Sequence, residues 1–102
     1  MAQFVKAGTT EELQPGQGKL VTVSGKEIAL FNVEGEYFAI DNICTHQGAP
    51  LCEGYLEGNE VTCPWHGATF DVKTGVVLSP PAYEGVACFQ VRVTGSEIEI
   101  EV

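Results

Sequence analysis

From Phe4 to Asn42 apolar and polar residues alternate in short runs, "FVKAG", "KLVTVSG", "EIALFNVEG" and "EYFAIDN". A period of two sends successive side chains to opposite faces of an extended chain, so these runs predict antiparallel strands with hairpin turns at Ser24-Gly25 and Glu34-Gly35. Between the first two runs, "TTEEL" has the residues of one capped helical turn, which Pro15 and Gly16 would end. From Cys44 to about Glu84 the alternation gives way to Gly, Pro, Cys and His, with brief strand-like pieces at "EVTC" and "ATFDV" and a stiff "SPPAYEG" loop. It resumes in "VACFQVRVTGSEIEIEV", which predicts a hairpin turning at Thr94-Gly95-Ser96 with Val91, Val93, Ile98, Ile100 and Val102 towards a core. The expected architecture is all-β, an antiparallel β scaffold with one loop-rich segment inserted between its strands. No long helix, internal repeat or linker is predicted.

Composition narrows the class. At 102 residues the chain fits one domain, which would bury somewhat over ~60% of its unfolded surface. A 44% apolar content argues against disorder. The formal charge of -9 repels nucleic acid phosphates and anionic membranes and favours a basic protein partner. Solubility is the plainest consequence of such acidity, and steering requires a site to steer towards. The N-terminus lacks a basic region followed by an apolar one, and no window approaches the roughly 18 apolar residues of a membrane span, so a cytoplasmic protein is expected. Without a secretory signal, the four cysteines are better read as reduced thiols or metal ligands than as disulfides.

The chain has two histidines, and each follows closely on a cysteine: Cys44-x-His46 and Cys63-x-x-His66. A glycine follows each, at Gly48 and Gly67, where backbone without a Cβ can approach a metal or sulfide. Cys-His nucleophilic dyads are disfavoured, because no Asn or Asp is clearly placed to orient either base. Four such ligands suit either a tetrahedral Cys2His2 zinc site or a [2Fe–2S] cluster with two cysteines on one iron and two histidines on the other. A classical finger pairs its cysteines in one half and its histidines in the other. Here each half mixes the two, as apposed loops serving two irons would, and the mixture favours iron and sulfur.

"CTHQGAP" and "CPWHGATF" resemble the two cluster-binding loops of Rieske proteins, and "SPPAYEG" resembles the proline loop that covers the cluster in that family. The resemblance spans essentially the whole chain. It implies a Rieske-type antiparallel β sandwich, a single domain over 1–102 with a base of residues 1–42 and 85–102 and a cluster-binding subdomain at about 43–84. It also implies one [2Fe–2S] cluster, with Cys44 and Cys63 on one iron and His46 and His66 on the other. Family members with C-x-H-x-G-C and C-x-C-H-G-S loops carry a disulfide between the loops and a serine bonded to a sulfide. This chain has Ala49, Trp65 and Ala68 there, so it is similar to the disulfide-free ferredoxins of aromatic-ring dioxygenases. Fewer donors to sulfur imply a potential near the lower end of the Rieske range, about -150 mV.

Charge counting explains the histidines: two ferric ions, two sulfides and two thiolates cancel when the other ligands are neutral imidazoles, which makes an added electron easier to accept. The resemblance implies a one-electron carrier, not an enzyme, that takes electrons from an NAD(P)H-dependent flavin reductase and passes them to a terminal oxygenase. Docking is expected near His46, His66 and Trp65, with no nucleic acid, membrane or small-molecule substrate. Asp41, Glu53, Glu57, Glu60, Asp71 and Glu84 are candidates for an acidic rim. Pro80 and Pro81 read as loop stiffeners, and Cys52 and Cys88 as small buried hydrophobes. The rival readings are a small redox subunit of a nitrite reductase-like complex and a zinc-stabilised interaction module.

Overall fold

The computed structural model describes residues 3–43, 50–64, 67–79 and 85–102. Its strands are β1 (Phe4–Thr9), β2 (Gly18–Val23), β3 (Lys26–Val33), β4 (Glu36–Asp41), β5 (Tyr55–Glu57), β6 (Glu60–Thr62), β7 (Thr69–Asp71), β8 (Val77–Ser79), β9 (Cys88–Phe89), β10 (Val91–Thr94) and β11 (Glu97–Glu101). They form three antiparallel sheets, β1-β11-β10, β2-β3-β4-β9 and β5-β6-β7-β8. Among the described residues there is no α-helix, as the alternating pattern implied.

The expected hairpins form where the turn residues allow. Val23 pairs Lys26 and Val33 pairs Glu36, leaving Ser24-Gly25 and Glu34-Gly35 as two-residue loops. Both residues of each loop have positive φ, at 51° and 79° and at 52° and 93°, the backbone twist that matches the flanking strands. In "TTEEL" a single 3-10 turn, Thr10–Glu12, forms behind Thr9, whose N–H donates to Glu12 Oε1 at 3.0 Å. Lys19 Nζ reaches Glu12 Oε2 at 2.7 Å and, with the Thr9 bonds, holds the Glu12 carboxyl below the usual carboxylate range.

Strand β3 is buried on both faces. Ile28 and Leu30 point into one cluster with Leu13, Val21, Val23, Ala39, Ile98 and Ile100. Ala29 and Phe31 point into another with Ile40, Leu51, Val61, Phe70 and Val72. The β2-β3-β4-β9 sheet is therefore shared: the strands of both termini cover one face and the β5–β8 sheet packs against the other. Phe31 is fully buried, and β2 passes so near it that a Cβ on Gly18 would stand 2.6 Å from the ring. Asn32 follows as a buried polar residue with its amide satisfied. Its Nδ2 donates to the Leu13 carbonyl at 2.9 Å, and its Oδ1 accepts the Gly35 N–H at 2.8 Å.

Two expectations fail at sheet edges. Val93 lies on the same face as the buried Ile98 but is 44% exposed, because β10 is an outer strand with no neighbour beyond it. Cys88 is exposed, since β9 is a two-residue edge strand that leaves one side of the thiol uncovered. Cys52 behaves nearer to expectation, half-buried against the Phe31 cluster; burial, with Glu53 beside it, pushes its thiol up from the usual range.

Phe31→Ala should lower unfolding stability by about 3–5 kcal/mol, whereas Val93→Ala should cost under about 1 kcal/mol. Urea titrations of the two variants measure the contrast, and equal losses would contradict the two-faced burial of β3.

Candidate metal centre

Of the four candidate ligands, Cys63 falls within the described residues; Cys44, His46 and His66 lie outside them, as do Gly48, Ala49, Trp65, Pro80, Pro81 and Glu84. What is described is how the chain enters and leaves each ligand-bearing segment. In each case the entrance and exit are joined.

The first segment, residues 44–49, is closed by Ile43 and Pro50, which form an isolated antiparallel bridge. Asn42, 2% exposed, reinforces that closure three ways. Its N–H donates to the Glu27 carbonyl at 3.1 Å, fixing it to β3. Its carbonyl accepts the Leu51 N–H at 2.7 Å, and its Oδ1 accepts the Cys52 N–H at 2.9 Å. Leu51 is itself fully buried in the Phe31 cluster, so the far end of the segment is tied to the core.

The second segment begins at Cys63, 4% exposed, whose N–H donates to the Ala68 carbonyl at 2.7 Å. Thr62 pairs Thr69 just below, so residues 63–68 form the loop at the end of the β6-β7 ladder. Ala68 is fully buried: a methyl, with no hydroxyl to donate, fills that place. Leu51, Cys63 and Ala68 belong to one hydrophobic cluster, which brings the bases of the two segments together. Gly54 contributes to this approach, since a Cβ there would strike the Thr62 carbonyl.

The residues on either side of segment 80–84 are tied to β7 and to the turn that follows it. On its near side Ser79 Oγ lies 2.8 Å from Thr69 Oγ1 and accepts the Thr69 N–H at 3.1 Å, across an irregularity in the β7-β8 register. On its far side the Val86 N–H donates to the Gly75 carbonyl at 2.8 Å. Gly75, at φ +80°, and Gly85 sit backbone against backbone, and a Cβ on either would strike a carbonyl oxygen.

The outer face of the β5–β8 sheet is acidic. Glu57 pairs Glu60, and Glu60 pairs Asp71, so three carboxylates stand in one row across β5, β6 and β7. Among the described residues the ion pairs are Lys6–Glu97, Lys19–Glu12 and Arg92–Glu99, all in the terminal strands, the 3-10 turn and β2, and none reaches that row. Tyr55, 75% exposed, stands on the same face.

The sequence reading missed Asn42, the Thr69–Ser79 pair and Tyr55. Asn42 carried a signal, for it shares the parity of the fully buried Ile40, so a polar residue there had to find buried partners. The donor set itself, two thiols and two imidazoles on two closed segments, fits an iron–sulfur cluster of the mixed Cys/His kind.

Comparison with known proteins agrees with this chemistry. The family model described as the Rieske [2Fe-2S] domain matches residues 3–90. The chain is 40% identical over 100 residues, 98% of this chain and 96% of the relative, to the ferredoxin component of a naphthalene 1,2-dioxygenase system of Pseudomonas aeruginosa. It is 38% identical over 99 residues, 96% of this chain and 91% of the relative, to the biphenyl dioxygenase ferredoxin subunit of Pseudomonas sp. strain KKS102. Among solved structures, the ferredoxin of carbazole 1,9a-dioxygenase from Nocardioides aromaticivorans IC177 superposes with a TM-score of 0.92 at 32% identity, covering 96% of both chains. A chain in a complex of reduced oxygenase and oxidized ferredoxin in carbazole 1,9a-dioxygenase superposes at 0.89, with 33% identity, over 95% of this chain and 91% of that one. A protein described as an NADH-dependent nitrite reductase small subunit, from Mycobacterium tuberculosis, superposes at 0.90, with 25% identity, over 100% of this chain and 96% of that one. With two matched Cys/His segments on an antiparallel β scaffold and a family model spanning most of its length, this chain belongs to the Rieske [2Fe-2S] domain family.

Proposed function

We propose that the chain is a one-electron carrier in an aromatic-ring dioxygenase system, with one [2Fe–2S] cluster held by Cys44 and Cys63 on one iron and His46 and His66 on the other. Residues 1–42 and 85–102 form the base of a single domain, and residues from about 43 to 84 carry the cluster. The carrier accepts electrons from an NAD(P)H-dependent flavin reductase and delivers them to a terminal oxygenase, catalysing no reaction of its own. When bound, the cluster supplies a site that gains and loses one electron.

The observation that carries this reading is the closure of both Cys/His segments over one shared cluster of Leu51, Cys63 and Ala68. The flanking residues, tied to the core by backbone hydrogen bonds, give both segments a fixed base, which suits rapid electron transfer. The buried Ala68 adds a methyl and no hydrogen bond, which keeps the potential low. The relatives are named as ferredoxin components, which supports the role of carrier, and the oxygenase–ferredoxin complex supports an oxygenase as the acceptor.

The partners dock near His46, His66 and Trp65, where imidazole edges give the electron its exit. The row Glu57, Glu60, Asp71 has no cation paired to it among the described residues, and like charges directly opposite on neighbouring strands repel. A basic partner relieves that repulsion, which gives the row a use in steering. The likeness to a nitrite reductase small subunit favours a second reading, in which the chain is a fixed redox subunit. Stoichiometric co-purification with a large subunit marks that case, and isolation as a free carrier marks the first.

Replacing His66 with Cys should retain a cluster but lower its potential towards the roughly -400 mV of all-cysteine plant-type clusters. Protein-film voltammetry reads the shift, and an unchanged potential would remove His66 from the ligand set. Reduction by the reductase should slow at least ~10-fold from low to high ionic strength, and Glu57→Gln with Glu60→Gln should flatten that dependence. Stopped-flow rates that ignore salt in the unmodified protein would reduce the row to a solubilising surface.

A further inference from the structure

We infer that Asn42 is a positioning residue for the first ligand segment, setting the path from which Cys44 and His46 reach the cluster. The inference rests on the ligand assignment proposed above. Asn42 stands two residues before Cys44 and is 2% exposed, and its bonds reach both sides of the segment. On the incoming side its N–H is held by the Glu27 carbonyl at 3.1 Å, an extension of the β3-β4 ladder. On the outgoing side its carbonyl and its Oδ1 take the N–H groups of two successive residues, Leu51 at 2.7 Å and Cys52 at 2.9 Å. One residue thereby ties the end of β4 to the Leu51–Glu53 turn.

The backbone bonds would survive substitution by alanine or serine; the Oδ1 bond would not. It fixes the start of the Leu51–Glu53 turn, whose direction sets where Pro50 leaves the segment. Without it the half-buried Cys52 N–H loses its acceptor, and the turn can rotate about the remaining Leu51 bond. An aspartate keeps an acceptor oxygen in the same place, whereas alanine and serine cannot reach.

Asn32 supplies the control. It is equally buried at 2% exposure and equally hydrogen-bonded, but it ties the Leu13 carbonyl to the Gly35 turn on the base. Asn32→Ala should therefore destabilise the fold without touching the mouth of the segment.

The test compares iron-loaded wild-type, Asn42→Ala, Asn42→Asp and Asn32→Ala proteins. Loss of the visible cluster absorbance in chelator should be about tenfold faster in Asn42→Ala than in Asn32→Ala, the equivalent of one buried hydrogen bond. The reduced-state EPR g-values should move in Asn42→Ala, stay at wild-type values in Asn32→Ala, and the Asn42→Asp variant should recover wild-type cluster retention. If Asn42→Ala does not fold, Asn42→Ser takes its place in the same comparison. A loss rate equal to that of Asn32→Ala, or an Asn42→Asp protein as labile as the alanine variant, would overturn the assignment while leaving the ligands intact. Wild-type protein that binds no iron would instead sink the ligand reading, and this inference with it.

Discussion

Strand β3 has no solvent-facing side over Ile28–Phe31, and most of the molecule follows from that constraint. A strand buried on both faces must be covered twice, and a chain of 102 residues has to supply both covers from short pieces. The strands at the two ends of the chain, β1, β10 and β11, serve one face. The other is covered by the small β5–β8 sheet, which could not stand alone: its strands are three residues long and their inward row of Leu56, Val61, Phe70 and Val77 packs against the Phe31 cluster. Fully burying side chains of this size contributes about 1.5–3 kcal/mol each, so that sheet owes its order to the face it covers.

The same arrangement locates the chemistry. The candidate ligands lie in loops that leave and rejoin the Phe31 cluster, and each loop is closed where it does so. Ile43 meets Pro50 and Cys63 meets Ala68, while Gly75 meets Val86 beside the segment 80–84, which holds no candidate ligand. The closures use backbone hydrogen bonds, supplemented by Asn42 and by the Thr69–Ser79 pair where the ladder is irregular. Charge follows the same division. Among the described residues, three ion pairs gather among β2, the terminal strands and the 3-10 turn, and none reaches the carboxylates on the outer face of the β5–β8 sheet.

Much of this was legible in the residues. The hairpins were, because Ser24-Gly25 and Glu34-Gly35 combine turn chemistry with clean alternation on either side. The 3-10 turn was, because Thr9 and Glu12 stand at capping spacing. Membership of the Rieske family was, because C-x-H and C-x-x-H with their glycines form a rarely repeated combination. The second burial of β3 was hidden: "IALF" reads as one apolar run whichever face is covered, and only the three-dimensional stacking assigns Ile28 and Leu30 to one side and Ala29 and Phe31 to the other. Val93 and Cys88 were misjudged because a two-residue period identifies a face without saying whether the strand lies at an edge. Asn42 was passed over as the end of a strand, since its partners come from residues 9 and 10 positions further on.

The central claim is that two cysteines and two histidines hold one iron–sulfur cluster. Iron and acid-labile sulfide analysis of the purified protein, joined to an EPR spectrum of the reduced form, tests it most directly. The account predicts two irons and two sulfides per chain and an EPR signal that appears on reduction. Colourless protein that contains zinc and gives no signal on reduction would contradict it.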